Sequence, residues 1–214
     1  AGGLLDNQKI NSFWVSDTCI SNYHFLQFIK NKGYFKKKFW SEEGYNWANV
    51  NSKYKPNSWN FIEDKWYVNS IPIEEVYNLP VENICYYEAE ACANFFNCRL
   101  PTEKEWEWMA TNRNKTTYPN GIDLPLFFEL SINFSSIESV NGPGCKSLMG
   151  LYQMFGNVWE LTSSMRLNNN NVEVCLKGGD RNVPNFILNS KLKMYISRYS
   201  NDYLTSFRMI KKEK

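Results

Sequence analysis

Among side chains that do redox or acid–base work, this 214-residue chain holds one histidine, His24, and six cysteines: Cys19, Cys85, Cys92, Cys98, Cys145 and Cys175. No two cysteines form a C-x-x-C pair, so their spacing signals neither a zinc site nor a dense disulfide framework, and they read as buried free thiols. With no second histidine beside it, His24 reads as a packed or surface residue rather than a ligand. Oxygen donors offer more. The stretch Gly150-Leu151-Tyr152-Gln153-Met154-Phe155-Gly156-Asn157-Val158-Trp159-Glu160 sets a carboxylate and several carbonyls on a tight turn. Such a turn suits calcium, which takes roughly six to eight oxygens. The competing reading has Glu160 simply accepting hydrogen bonds in a buried turn.

Regular elements must position these residues. Phe13-Trp14-Val15 reads as a short strand, and Ser21 can cap a helix carrying His24 whose apolar side is Tyr23, Leu26, Phe28 and Ile29. Residues 33–67 are aromatic without a 3.6 or 2.0 period and read as a long loop ordered by its own rings. A helix is predicted over residues 86–97, with Ala89, Cys92, Ala93 and Phe96 on one face. Another opens at Thr102, because Thr102-Glu103-Lys104-Glu105 fits a capping box and Pro101 stops the preceding segment from entering the helix. Trp106, Met109 and Ala110 then face inward. Beyond Asn112 the pattern is turns and short strands, including residues 172–176 and 206–210, with an exposed tip at 168–171.

Hydrophobic residues make up 43% of the chain and aromatics 16%, enough for a sizeable core without metals or cross-links. One domain over residues 1–214 is expected. A net charge of +2 with scattered basic residues argues against a nucleic-acid surface. No apolar run of about 18 residues occurs, and Ala1-Gly2-Gly3-Leu4-Leu5-Asp6 lacks the signature of a leader, so a soluble, cytoplasmic protein is expected.

Four blocks, in order, resemble the formylglycine-generating enzyme family. They are Pro80-Val81-Glu82-Asn83-Ile84 with Glu88-Ala89 and Cys92; Arg99-Leu100-Pro101-Thr102-Glu103-Lys104-Glu105-Trp106-Glu107; residues 150–160; and Lys177-Gly178-Gly179 with Phe207-Arg208. Phe28-Ile29, Gly33-Tyr34 and Trp40-Ser41-Glu42-Glu43-Gly44-Tyr45-Asn46-Trp47 are similar to an insert of the ergothioneine and ovothiol-type sulfoxide synthases. The resemblance implies an α+β, irregular, C-type-lectin-like fold with low regular secondary structure. It also implies a calcium ion held by side-chain oxygens of Gln153 and Glu160 and carbonyls of Gly156 and Val158, and a second calcium site beginning near Asn133, where the following loop is shortened at residues 135–139.

The family's redox centres do not carry over. Its copper enzymes use a cysteine pair shortly before the closing Phe-Arg, where residues 194–202 contain no cysteine. Its iron enzymes use three histidines, and this chain has one, so neither copper nor iron is expected from this chain alone. The substrate-binding Trp-Asp pair with its following Arg is also missing, although Arg198, Asp202 and Arg208 supply charges, and Lys177 and Asp180-Arg181 replace residues of another family block. The leading expectation is therefore a binding or scaffolding module working with another protein chain in a larger assembly. An alternative is an enzyme of oxygen-dependent carbon–sulfur bond formation whose iron comes from a partner, with Tyr45, Trp47 and Tyr199 as catalytic candidates and a tyrosine as proton donor. A lectin-like ligand-binding domain is a further alternative.

Overall fold

The computed structural model describes residues 10–119, 121, 137–142, 146–184 and 187–212. Ala1 to Asp6, Asn133, Ser135 and Cys145, considered above, lie outside the described residues.

Among the described residues, three small sheets and four α-helices carry the fold, joined mostly by turns and short 3₁₀ segments, as the irregular α+β expectation requires. Strand β1 (Phe13–Val15) pairs antiparallel with β9 (Ile210–Lys212). Helix α1 (Asn22–Lys30) follows, capped by the Ser21 hydroxyl, which accepts from the His24 amide at 3.4 Å. That cap satisfies one of the amides a helix start leaves orphaned.

Residues 33–67 are not a long loop. They form two short 3₁₀ turns, Gly33–Phe35 and Lys37–Phe39, then helix α2 (Glu42–Val50), then strands β2 (Trp59–Ile62) and β3 (Lys65–Val68), which pair with each other and with β4 (Ile71–Pro72). Helix α2 buries Gly44 and Ala48, small residues four apart, so it has no stripe of large apolar side chains to betray its period. Its signal lies in the Ser41 cap, whose hydroxyl accepts from the Gly44 amide at 3.3 Å, and in Glu42 and Glu43 of its first turn. The β2–β3 hairpin turns through Glu63 and Asp64, both at positive φ (48° and 61°), without the Asn-Gly signature that normally advertises such a turn. The rings do fill a core: Phe28, Tyr34 and Trp40 pack with centroids 5.4–6.2 Å apart, and Trp59 is fully buried.

Helix α3 (Tyr86–Phe95) buries Ala89, Ala91, Cys92 and Ala93 beneath this aromatic layer. Buried Glu88 accepts from the Tyr34 hydroxyl at 2.6 Å and from the Cys85 amide at 2.9 Å. Helix α4 (Glu103–Ala110) starts with the expected capping box: Thr102 Oγ1 accepts from the Glu105 amide at 3.2 Å, and Glu105 accepts from the Thr102 amide at 2.8 Å.

The largest sheet has the order β7 (Lys193–Ser197), β6 (Asn171–Lys177), β5 (Trp159–Asn168), β8 (Thr205–Ser206). Asn169 and Asn170 at positive φ close the β5–β6 hairpin, the expected exposed tip. Its register breaks between Leu161 and Met165. There the Ser163 amide donates to Pro101 O and Ser164 Oγ accepts from the Glu103 amide, both at 2.8 Å, which ties α4 to the sheet. The strand expected over 206–210 is two pieces, β8 and β9, because Phe207 and Arg208 turn into the core between them.

Candidate functional site

The turn carrying the strongest motif runs through Gln153, Gly156 and Asn157, all at positive φ. Asn157 knits it together, accepting from the Glu138 amide at 2.9 Å and donating to Glu138 O at 3.1 Å and to Gln153 Oε1 at 2.7 Å. Glu160 then enters β5. Its parallel pairing with Ser206 brings Arg208, two residues on, alongside. The guanidinium grips the carboxylate bidentately, Nε to Oε2 at 2.7 Å and Nη2 to Oε1 at 2.6 Å. Trp106 Nε1 donates to Oε2 at 2.7 Å, and the Cys19 thiol donates to Oε1 at 3.2 Å. Glu160 and Arg208 are 1% and 0% exposed. Burial disfavours the Arg208 charge, but Glu160 more than offsets this and holds the guanidinium above its ordinary pKa.

These residues do not fit a calcium ion. Each Glu160 oxygen already accepts two donors, one of them from a cation, and a divalent ion placed there would meet the Arg208 charge. Gln153 Oε1 is taken by Asn157 and Gly156 O accepts from the Val158 amide at 2.8 Å. The bland reading of Glu160, as an acceptor in a buried turn, describes its position. Among the described residues no group of three or more His, Cys, Asp or Glu side chains is arranged to hold a metal.

The soft donors are no better placed. Cys19, Cys85, Cys92 and Cys175 are buried free thiols and Cys98 is half-buried. Burial pushes all five thiols up, Cys175 to about 11, so none is a ready thiolate. His24 lies on the exposed side of α1, its Nδ1 2.8 Å from Ser21 Oγ, with partial burial lowering its pKa. Lys177 is fully buried yet satisfied, donating to Glu107 Oε1 at 2.9 Å and to Ser190 O at 2.8 Å.

A second cluster gathers at the surface. Tyr199 donates to Glu43 Oε1 at 2.6 Å, and Arg198 Nη2 reaches the same oxygen at 2.6 Å. The Tyr87 ring bridges Tyr199 and Trp47, with centroids 5.4 and 6.0 Å away, and the Arg198 guanidinium lies 5.7 Å from Tyr87 and 5.6 Å from Tyr199. The Tyr199 hydrogen bond, followed by the Tyr87 hydroxyl and then Arg198, holds the exposed Glu43 carboxyl below its ordinary range. Two of the three aromatic candidates, Trp47 and Tyr199, are thus brought together, while Tyr45 packs half-buried against the main core. Arg198, Asp202 and Arg208 are not brought together: Arg208 is in the core, and Asp202 is exposed. Sequence reasoning missed Glu43 and Tyr87; both stand at helix starts, where their side chains read as ordinary first-turn residues.

A family model described as the sulfatase-modifying factor enzyme 1-like domain matches residues 5–212. Hercynine oxygenase of Mycolicibacterium thermoresistibile is 30% identical over 176 residues, 75% of this chain and 39% of that protein. The inactive C-alpha-formylglycine-generating enzyme 2 of Mus musculus is 32% identical over 105 residues, 43% of this chain and 34% of its own length. PvdO from Pseudomonas aeruginosa superposes with a TM-score of 0.64 at 13% identity, covering 94% of this chain and 80% of that one, a likeness of fold. The chain spans about two fifths of the length of the hercynine oxygenases it matches. Among the described residues, no helix is long and apolar enough to cross a membrane.

Proposed function

This chain belongs to the sulfatase-modifying factor enzyme 1-like family, and from that membership we propose that it is a binding module within a larger assembly, recognising another protein chain and carrying no redox metal site of its own. The observation that carries this reading is the fate of the donor set. Glu160 is spent on Arg208, and the described thiols are buried or half-buried with their pKa values raised. The single imidazole sits alone on α1, and one histidine cannot supply the several ligands an iron site takes. Exposed Tyr199, with half-buried Trp47 and Arg198 packed around the buried Tyr87 ring, has the aromatic and arginine composition that anchors interfaces. The test is to offer the purified chain Cu(I) or Fe(II), remove loose metal, and measure bound metal together with oxygen consumption on thiol substrates. Neither stoichiometric metal nor turnover is expected; turnover by the isolated chain overturns the reading.

A second reading is favoured by the 30% identity to hercynine oxygenase over 176 residues. In it the chain shapes the pocket of an oxygen-dependent carbon–sulfur bond-forming enzyme whose iron is bound by residues outside this chain, with Tyr199 as proton donor. An assay with hercynine, a thiol and a three-histidine iron protein separates the two readings. Product that depends on both proteins and falls sharply in Tyr199→Phe favours the enzyme.

A further inference from the structure

A cavity of about 50 Å3 opens between the start of α1, the β3–β4 turn and the segment leading into α3, apart from both clusters above. Six of its lining side chains are apolar, Val76 and Leu79 among them; the others are Asn22, Asn69 and Glu82. The walls are fixed by backbone bonds, the Asn22 amide to Leu79 O at 2.8 Å and the Val81 amide to Ile20 O at 2.9 Å. Asn69 and Ile71, at the β3–β4 turn, are exposed and form the side open to solvent.

Two polar side chains in this wall are buried and only half used. Asn22, 2% exposed, donates from Nδ2 to Val76 O at 2.9 Å, which sets the amide orientation and leaves Oδ1 without a donor. Glu82, 9% exposed, accepts from Asn69 Nδ2 on Oε1 at 3.0 Å and has none on Oε2. A buried acceptor left without a donor is costly to the fold, so two kept beside one cavity are arranged for a donor to enter. We infer that this cavity binds a small primary ammonium group, its N–H donors shared between Asn22 Oδ1 and Glu82 Oε2 and its alkyl stem against Val76 and Leu79. Burial raises the Glu82 carboxyl, opposed by Asn69 and by the Arg181 charge, and a cation beside it restores the ionised form. A water could bridge the two oxygens but brings no charge. The volume exceeds the ~10–15 Å3 that one water needs, leaving room for an ammonium head with one or two carbons.

Saturation-transfer NMR on the intact chain at matched ionic strength tests this with methylammonium, methanol, tetramethylammonium and Nα-acetyl-lysine N-methylamide as probes. Saturable methylammonium binding is expected, with methanol weaker and tetramethylammonium, which has no N–H, excluded. Binding of the lysine derivative as well assigns the ammonium to a side chain of a partner; binding of methylammonium alone assigns it to a free amine. Glu82→Gln keeps the shape, removes the charge, and should weaken binding about tenfold or more. Methylammonium that binds no better than methanol or tetramethylammonium means the cavity holds water only and overturns the inference, as does undiminished binding in a folded E82Q. Should E82Q fail to fold, the size and charge series on the wild-type chain decides alone.

Discussion

Two glutamate–arginine pairs in this molecule share the same closest approach, 2.6 Å, in opposite surroundings. Glu160–Arg208 lies in the core with side chains 1% and 0% exposed, while Glu43–Arg198 sits at the surface at 45% and 21%. A distance therefore says little about what an ion pair does. In the core, solvent cannot replace a lost partner, and every donor of this arginine is matched: Arg208 spends its remaining N–H groups on the carbonyls of Ser16, Asp17 and Tyr152. At the surface, Arg198 keeps a buried Nε without a partner, a group the fold itself does not use.

Removing the inner arginine is the sharpest way to break this comparison. Arg208→Met should destabilise the fold by about 3–5 kcal/mol, since Glu160 is left as a buried, uncompensated charge. Denaturant unfolding measures it, and a loss below about 1 kcal/mol would mean that water reaches Glu160 and the two pairs are alike. Adding Glu160→Leu to that variant should recover part of the loss, because two apolar side chains replace a charge pair without leaving either charge alone.

Trp106→Phe probes the same core with a smaller step. It keeps most of the ring stacked near Phe155 but removes the Nε1 donor to Glu160, a bond to a charged acceptor worth about 1.5–3 kcal/mol. Acidification gives a further test through Glu107. Burial raises its carboxyl, but hydrogen bonds from Lys191 and Lys177 and their charges outweigh that and hold it below 4.5. A depressed folded pKa stabilises above the unfolded value and is lost as the carboxylate takes up its proton. The melting temperature of the wild type should therefore fall relative to Glu107→Gln as pH drops from about 5 through and below 4.5, and the two curves should run parallel above that window.

What could be read from the chain divides along sequence separation. The α4 capping box spans four consecutive residues, and the Ser21 cap lies three residues from the amide it serves, so both were legible. The family blocks likewise located the turn at residues 150–160. Glu160 was legible as a polar residue in a turn, yet its partner stands 48 residues later, and Glu43 and Tyr199 are 156 apart. Nothing in local pattern pairs such residues; only the parallel register of β5 with β8 and the approach of α2 to the chain after β7 do so. Helix α2 was missed because its buried residues, Gly44 and Ala48, are too small to register as an apolar face. In this structure Glu160 meets a guanidinium; oxygen-rich turns serve cations of both kinds, metal or guanidinium, and motif letters do not say which.

The smallest effect belongs to the outer pair. Arg198→Met should cost no more than about 1 kcal/mol, and the difference from wild type should shrink as salt rises from about 0.1 to about 1 M, because water and counterions replace what Glu43 loses. Its effect on recognition should be larger than its effect on stability. The guanidinium lies against Tyr87 and the exposed Tyr199, and the Arg198 side chain is 21% exposed, so a partner can reach it there. Unfolding and binding measured on the same variant separate the two roles. A loss of more than about 2 kcal/mol in unfolding would make this pair structural like the inner one. A near-neutral fold with weakened partner binding would place the two pairs in different roles, one closing the core and the other facing outward.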